Sequence, residues 1–294
     1  MKKFIKYIVA LVVITLLSMI ALDCIYTYAY ENAIPRNKTQ YLLKLRNETI
    51  DYVFLGSSRV ENHIVTKLVE EKTGKKALNL GVQGGRLDDV SLMIKFLINN
   101  KVKTEKVFIQ VDYLYNFENP STIVGTESLP YIRSNKIISK HREPNPDFNL
   151  NYYIPFYRYG VNDFKLGFRE FFNCVIGKRS KVNFADGFDP RNEKFSNKGA
   201  NLPDSINNQN KNIEEINSIC KQNNIDVVYF CAPFCNEMKN LYFLDKLKNK
   251  LPNFIDFSRT IKSNKYFKDC AHLNGKGAQV FTQKLIDSCL VSHK

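Results

Sequence analysis

The sequence predicts an α/β fold in which a mostly parallel sheet is covered by helices on both faces. Three observations carry this expectation. Short runs rich in Val, Ile and Phe end in glycine or polar turns, as in TIDYVFLG (Thr49–Gly56) and IDVVYFCAP (Ile225–Pro233). Such runs suit strands buried on both faces, the condition of parallel sheets. Segments of helical period lie between them, as at Leu87–Asn99, so the pattern alternates strand and helix. The composition, 44% hydrophobic and 24% charged, is that of a chain able to pack a core.

The elements follow in order. Met1–Lys6 carries three lysines, and Tyr7–Leu22 is uninterrupted by charge until Asp23. With its flanks this apolar stretch approaches the ~20 residues that cross a bilayer. The lysines predict a cytoplasmic N-terminus and an extracytoplasmic bulk. The exit, ALDCIYTYAYEN, lacks the small-x-small pattern of signal cleavage. Residues 1–30 therefore read as an uncleaved single-pass anchor, with Tyr26, Tyr28 and Tyr30 as interface aromatics. Residues 31–48 read as a polar connector and 49–294 as the α/β domain. In that domain the expected strands are Thr49–Gly56, Lys76–Gly81, Lys106–Asp112, Ile225–Pro233 and Asn253–Ser258. The expected helices are His63–Thr73, Leu87–Asn99, Asn212–Asn223, Leu241–Lys250 and Gly277–Cys289. Gly74 is the stop of the first of these helices.

An insertion at about 113–204 breaks the rhythm. It is rich in Asn, Pro, Tyr and Phe, with NYYIPFYRYG and DGFDP among its motifs. Long stretches of this kind are often lids or binding loops, and the aromatic content argues against disorder, so the insertion is expected to cap or shape a site. The net charge of +14, from 43 basic and 29 acidic residues, is compatible with an anionic surface or glycan. No run of five or more basic residues appears, which favours a solvated basic surface over a nucleic-acid partner.

Seven cysteines, Cys24, Cys174, Cys220, Cys231, Cys235, Cys270 and Cys289, match no zinc spacing. Cys231 and Cys235 in CAPFC are open to a disulfide, to a metal or to burial as small apolar residues. No metal and no cofactor is expected.

Three segments carry chemistry. In FLGSSRVEN a strand ends at Gly56-Ser57-Ser58 and a helix follows. That turn exposes a hydroxyl near helix N–H groups able to stabilise an oxyanion. Read by itself, the tripeptide is also an ordinary turn and helix cap. In FKDCAHLNGKGA, Asp269 and His272 lie three residues apart before a helix. A carboxylate so placed can fix the tautomer of an imidazole whose far nitrogen then takes a proton from a serine. In LNLGVQGGRLDD, Gly81, Gly84 and Gly85 form a loop between strand and helix that lets backbone approach a ligand. No Gly-Lys-Ser/Thr or dinucleotide fingerprint is present, which sets aside a nucleotide-binding reading. His63 lies five residues beyond Ser58, inside the start of a helix, and is expected to point elsewhere. His141 and His293 have no motif around them.

The serine after the first strand, the glycine loop after the second and the Asp-x-x-His before the last helix together resemble the SGNH (GDSL-like) hydrolase superfamily, over roughly Thr49–Asp112 and Asn212–Leu290. The resemblance implies a three-layer α/β/α sandwich with a five-stranded parallel sheet. It implies Ser58 as nucleophile, His272 as base, Asp269 as the residue orienting it, and the N–H groups of Ser58 and Gly84 as oxyanion donors. The family's third block, Gly-x-Asn-Asp, is replaced here by QVDYLYNF. Asn116 is the nearest asparagine, at a spacing that does not match. GSSR in place of GDSL, with a single N-terminal span, looks more like the membrane-anchored branch that handles D-alanyl groups of lipoteichoic acid or O-acetyl groups of exopolysaccharides. The function this implies is a serine esterase or O-acyltransferase acting on O-acetyl or other acyl esters of a cell-envelope glycan, with a membrane partner that supplies acyl groups. Arg59 is left between binding an anionic substrate group and pairing with a carboxylate. The alternative function is a non-catalytic glycan-binding or assembly protein on the same fold.

Overall fold

Five short strands form one sheet in the order β2-β1-β3-β4-β5, and every neighbouring pair is parallel. In this computed structural model, which describes residues 1–192, 195–196 and 199–290, the strands are β1 Tyr52–Leu55, β2 Ala77–Asn79, β3 Lys106–Gln110, β4 Asp226–Cys231 and β5 Phe254–Asp256. His293 lies outside the described residues. β1 and β3 are the apolar centre, with Val53, Phe54, Leu55, Val107, Phe108 and Ile109 fully buried. Adjacent residues of a strand face opposite ways. On β4 the Tyr229 hydroxyl meets Asn217 of the helix Lys211–Gln222 at 2.8 Å, whereas Phe230 packs on Phe281 of the helix Gly275–Cys289. The two helices therefore cover opposite faces of the sheet. Leu87–Asn99 joins the first and Thr66–Thr73 the second. This is the α/β architecture expected from the alternation of strand and helix.

The chain divides into two compact units. The sheet unit comprises residues 41–124 and 181–294. The other unit joins residues 1–40 to 125–180, so the boundary falls inside the 113–204 stretch. The aromatics of NYYIPFYRYG belong with the N-terminal helix.

That helix, Lys2–Asn32, is long and apolar enough to cross a membrane, a test that a signal sequence also passes. Its first two-thirds are exposed, but its last turns pack within their unit. Asp23 is 5% exposed and is bonded to Arg133 and Arg158. Tyr26 stacks on Phe171, and Tyr30 on Tyr159. Tyr26 and Tyr30, at 7% and 2% exposure, are thus packing residues and not the interface aromatics expected of them. Among these three tyrosines only Tyr28 is exposed.

Candidate active site

The turn after β1 is set by steric exclusion. Gly56 has φ +150°, and a Cβ there would crowd the Val60 and Gln110 side chains. The chain reverses at Ser57, which caps the short helix Ser58–Glu61 by accepting from the Arg59 N–H at 3.2 Å. Gln110, at the end of β3, accepts from both the Ser57 N–H (3.1 Å) and the Ser57 hydroxyl (2.7 Å). Gln110 Nε2 in turn donates to Asp112 at 2.7 Å, and Asp112 is ion-paired with Arg59. Arg59 is 1% exposed; it also donates to the carbonyls of Ala232 and Pro233 and lies 3.5 Å from the Phe234 ring centroid. The guanidinium braces the turn from beneath, and burial removes it from the substrate-binding role left open for it. Burial of so polar a network is tolerable because its members bond to one another and to nearby carbonyls, with Arg59 Nε left without a partner among the described residues.

Ser58 sits on this brace at 6% exposure. Its Oγ is 2.8 Å from Nε2 of His272, a residue 214 positions away in sequence. His272 Nδ1 is 2.9 Å from Asp269 Oδ1 and 3.1 Å from Oδ2. Asp269 Oδ1 also accepts the N–H groups of Ala271 and His272, both at 2.9 Å. Burial by itself pushes the Asp269 carboxyl up, but the imidazole hydrogen bond and these N–H donors outweigh it and bring it down to about 2. A carboxylate held in its charged form fixes Nδ1 as the protonated nitrogen and leaves the Nε2 lone pair facing the Ser58 hydroxyl.

The turn that presents His272 is tied down on three sides. Its own ends pair through Phe267 and Leu273. Asn274 caps the final helix by accepting from Gly277 N–H at 3.0 Å. Cys270 is disulfide-bonded to Cys235 beyond β4. Cys235 therefore pairs with Cys270 and not with its neighbour Cys231, which is a buried free thiol. Among the described residues Cys235, Glu237 and Cys270 form the one cluster with ligand spacing for a metal, and the sulfurs there are consumed by the disulfide.

The second histidine near Ser58 faces the same turn. His63 is fully buried, and its Nε2 accepts the Leu273 N–H at 3.0 Å. Burial lowers its pKa well below the ordinary histidine value, with the nearby Arg59 and His272 adding to the effect. The ring stays neutral and serves as an acceptor.

The glycine loop is stitched to the serine turn by Val82 N–H donating to the Gly56 carbonyl at 3.0 Å. Gly81 and Gly85 let it lie close: a Cβ on Gly81 would strike the backbone of Glu61, and one on Gly85 would come within 2.8 Å of the Gly56 oxygen. Gly84 has φ +66°. Among the described residues the N–H groups of Ser58 and Gly84 have no protein acceptor. Asn116 is engaged elsewhere. Its amide donates to the Ser205 carbonyl at 2.9 Å and its oxygen accepts from Asn207 N–H at 3.0 Å, which takes it out of the third oxyanion position. The neighbouring Tyr113 hydroxyl is pushed up to about 12 by the Asp112 carboxylate and by burial, so it remains a neutral donor.

The sequence left Arg59 open to pairing with a carboxylate, which the structure shows to be Asp112, but pointed neither to that partner nor to Gln110, nor to the role of His63. The signal for the brace was present, in two polar residues at alternate positions closing an otherwise apolar strand, QVD after KVFI. Nothing local pairs His63 with Leu273 across 210 residues.

No family model and no curated relative matches this chain. Among solved structures it is similar to one from Streptococcus pneumonia, provisionally described as a platelet activating factor, with 13% identity and a TM-score of 0.39 over 96% of this chain and 98% of that one. That likeness is too distant to carry chemistry from one chain to the other.

Proposed function

We propose that this chain is a membrane-anchored serine esterase or O-acyltransferase of the SGNH kind, acting on acyl esters, O-acetyl groups foremost, of a cell-envelope glycan. The observation that supports it best is the unbroken hydrogen-bond chain from Ser58 Oγ through the His272 ring to Asp269, at the rim of a parallel sheet. In this reading Ser58 Oγ attacks the acyl carbon while His272 Nε2 takes its proton. The Ser58 and Gly84 N–H groups receive the oxyanion. The protonated imidazole then gives its proton to the departing sugar oxygen, leaving an acyl-Ser58 ester. Water or a second sugar hydroxyl, deprotonated by the same nitrogen, attacks that ester and restores the serine. Asp269 remains charged throughout and stabilises the imidazolium.

Two features support an extracytoplasmic site. The lysines ahead of the apolar helix favour that orientation, and a disulfide between Cys235 and Cys270 persists in an oxidising compartment. An anchored enzyme there meets envelope glycan as its nearest polymeric ester.

The test is labelling by a serine-directed fluorophosphonate together with hydrolysis of p-nitrophenyl acetate by the full chain. Both signals are expected, and both are expected to vanish in Ser58→Ala. A second reading, a non-catalytic glycan binder, is favoured by the engagement of Asn116 away from the oxyanion position. It predicts neither labelling nor turnover in the unaltered chain, with glycan binding retained in Ser58→Ala.

A further inference from the structure

The unit that holds the N-terminal helix carries a second apolar surface outside that helix. In the helix Phe168–Val175, Phe171 and Cys174 turn inward, with Phe171 stacked on Tyr26 at 4.2 Å and Cys174 buried. The other stripe, Phe168, Phe172 and Val175, is 67%, 50% and 60% exposed. Phe164, on the preceding short helix, is 80% exposed, and Tyr153 is 66% exposed. Phe168 and Phe172 stack on one another at 6.2 Å, and exposed aromatics gathered on one helical stripe mark an interaction surface and not ordinary scatter.

The level of this surface along the N-terminal helix identifies what covers it. Asp23 is the first charge after the apolar run. Its carboxylate accepts the Phe156 N–H at 2.9 Å and pairs with Arg133, whose guanidinium also donates to the carbonyls of Tyr152 and Ile154. Tyr153 and Ile154 are thereby held at the height where the apolar run ends. Phe171 lies at Tyr26, one turn further along, and Phe168 precedes it by one turn on its own helix. The helix that bears the exposed stripe packs on the N-terminal helix through Phe171 and Tyr26, and the exposed Arg169 adjoins Phe168 in sequence.

We infer that this face, led by Phe164 and Phe168, inserts into the headgroup layer of the bilayer that the N-terminal helix crosses, making the unit a shallow membrane platform around its anchor. The occupant is a lipid surface, because the patch adjoins the apolar helix and has the aromatic and basic character of interfacial helices. The inference rests on the reading of Lys2–Asn32 as a membrane span.

The chain contains no tryptophan, so single reporters have no background. Val12→Trp, Phe164→Trp and Phe168→Trp are each placed in the full chain and reconstituted in phosphatidylcholine/phosphatidylglycerol vesicles, with and without lipids brominated near the headgroup or deep in the acyl chain. The expected result is blue-shifted emission for all three, with Phe164→Trp and Phe168→Trp losing intensity to shallow bromines and Val12→Trp to deep ones. Water-like, unquenched emission from the two phenylalanine sites beside a quenched Val12→Trp overturns the platform and leaves the span intact. Blue-shifted but unquenched emission at those sites also overturns it, since a protein then covers the face. An unquenched Val12→Trp removes the span and the platform together.

Discussion

His63 Nε2 accepts the Leu273 N–H at 3.0 Å, so the histidine nearest the serine in sequence holds in place the turn that carries the other histidine. His63→Ala leaves a buried N–H without a partner, a loss of about 1–3 kcal/mol. The expected outcome is a lower denaturation midpoint and a lower kcat, with fluorophosphonate labelling slowed and not abolished. The same ring sets an acid limit on stability. Its folded pKa lies below the ordinary 6.5, so between those two values the unfolded chain binds the extra proton. Stability is therefore full above about 6.5 and declines as pH falls below it. Equal slopes for the unaltered protein and His63→Ala in denaturant titrations at pH 5 to 7 would contradict this role.

Asp269 responds in the opposite part of the scale. Its carboxyl is lowered from 3.8 to about 2, so its stabilising contribution is complete above about 3.8 and disappears as pH falls through about 2. Asp269→Asn removes that acid-dependent component. By the precedent of serine–histidine–aspartate sites it lowers kcat by as much as ~10⁴-fold, because the imidazole loses its fixed tautomer. Stopped-flow measurement of p-nitrophenyl acetate hydrolysis reads this directly, and an unchanged kcat would remove Asp269 from the mechanism.

The Cys235–Cys270 bridge closes a separation of 35 residues, for which chain entropy gives about 4 kcal/mol of stabilisation. Cys270 adjoins Asp269, so reduction is expected to loosen the turn that holds His272 as well as the fold. Cys235→Ser, or dithiothreitol on the unaltered protein, should lower Tm and kcat together. Unchanged activity after full reduction, checked by thiol counting, would show that the bridge does not position His272.

Arg59→Ala strands the Asp112 carboxylate in the interior, a loss of about 3–5 kcal/mol. Arg59→Lys keeps the charge but lacks the planar fork that reaches Asp112 and two carbonyls at once, and is expected to fall between the two. Urea denaturation curves for the three proteins give the order, and a fully stable Arg59→Ala would mean that the brace carries little.

Gly81 and Gly84 separate packing from catalysis. A Cβ on Gly81 collides with the Glu61 backbone, whereas the Gly84 site is nearly open, with Ile123 3.9 Å away and φ at +66°. Gly81→Ala should fold poorly. Gly84→Ala should fold at a cost near 1 kcal/mol and show its main loss in kcat, through the tilt of the N–H proposed to meet the oxyanion. Circular dichroism melts and steady-state kinetics on both variants test the contrast.

Much of the fold could be read before the structure. The sheet strands Tyr52–Leu55 and Lys106–Gln110 fall inside short apolar runs of the kind that buried parallel sheets accommodate, and Gly74 stops its helix in the left-handed conformation. Ser58, Asp269 and His272 stood out because each lies at a strand end or before a helix, where local sequence dictates the turn. What escaped notice depends on long-range contact. The Cys235–Cys270 bridge, the Leu273–His63 bond and the burial of Tyr26 against Phe171 join segments whose proximity only the folded chain decides. Asn116 illustrates the converse: its type and neighbourhood suggested an oxyanion donor, but Ser205 and Asn207 claimed its amide.

Ser58 follows the first strand and His272 the last, so every crossover of the sheet must be completed before the hydroxyl meets the imidazole. A nascent chain displays the serine long before the imidazole is synthesised, and any proteolytic fragment cut between them holds only one of the two side chains. If Ser58 acts as proposed, its reactivity reports on the completed topology, because the two side chains meet only when both ends of the sheet are in place.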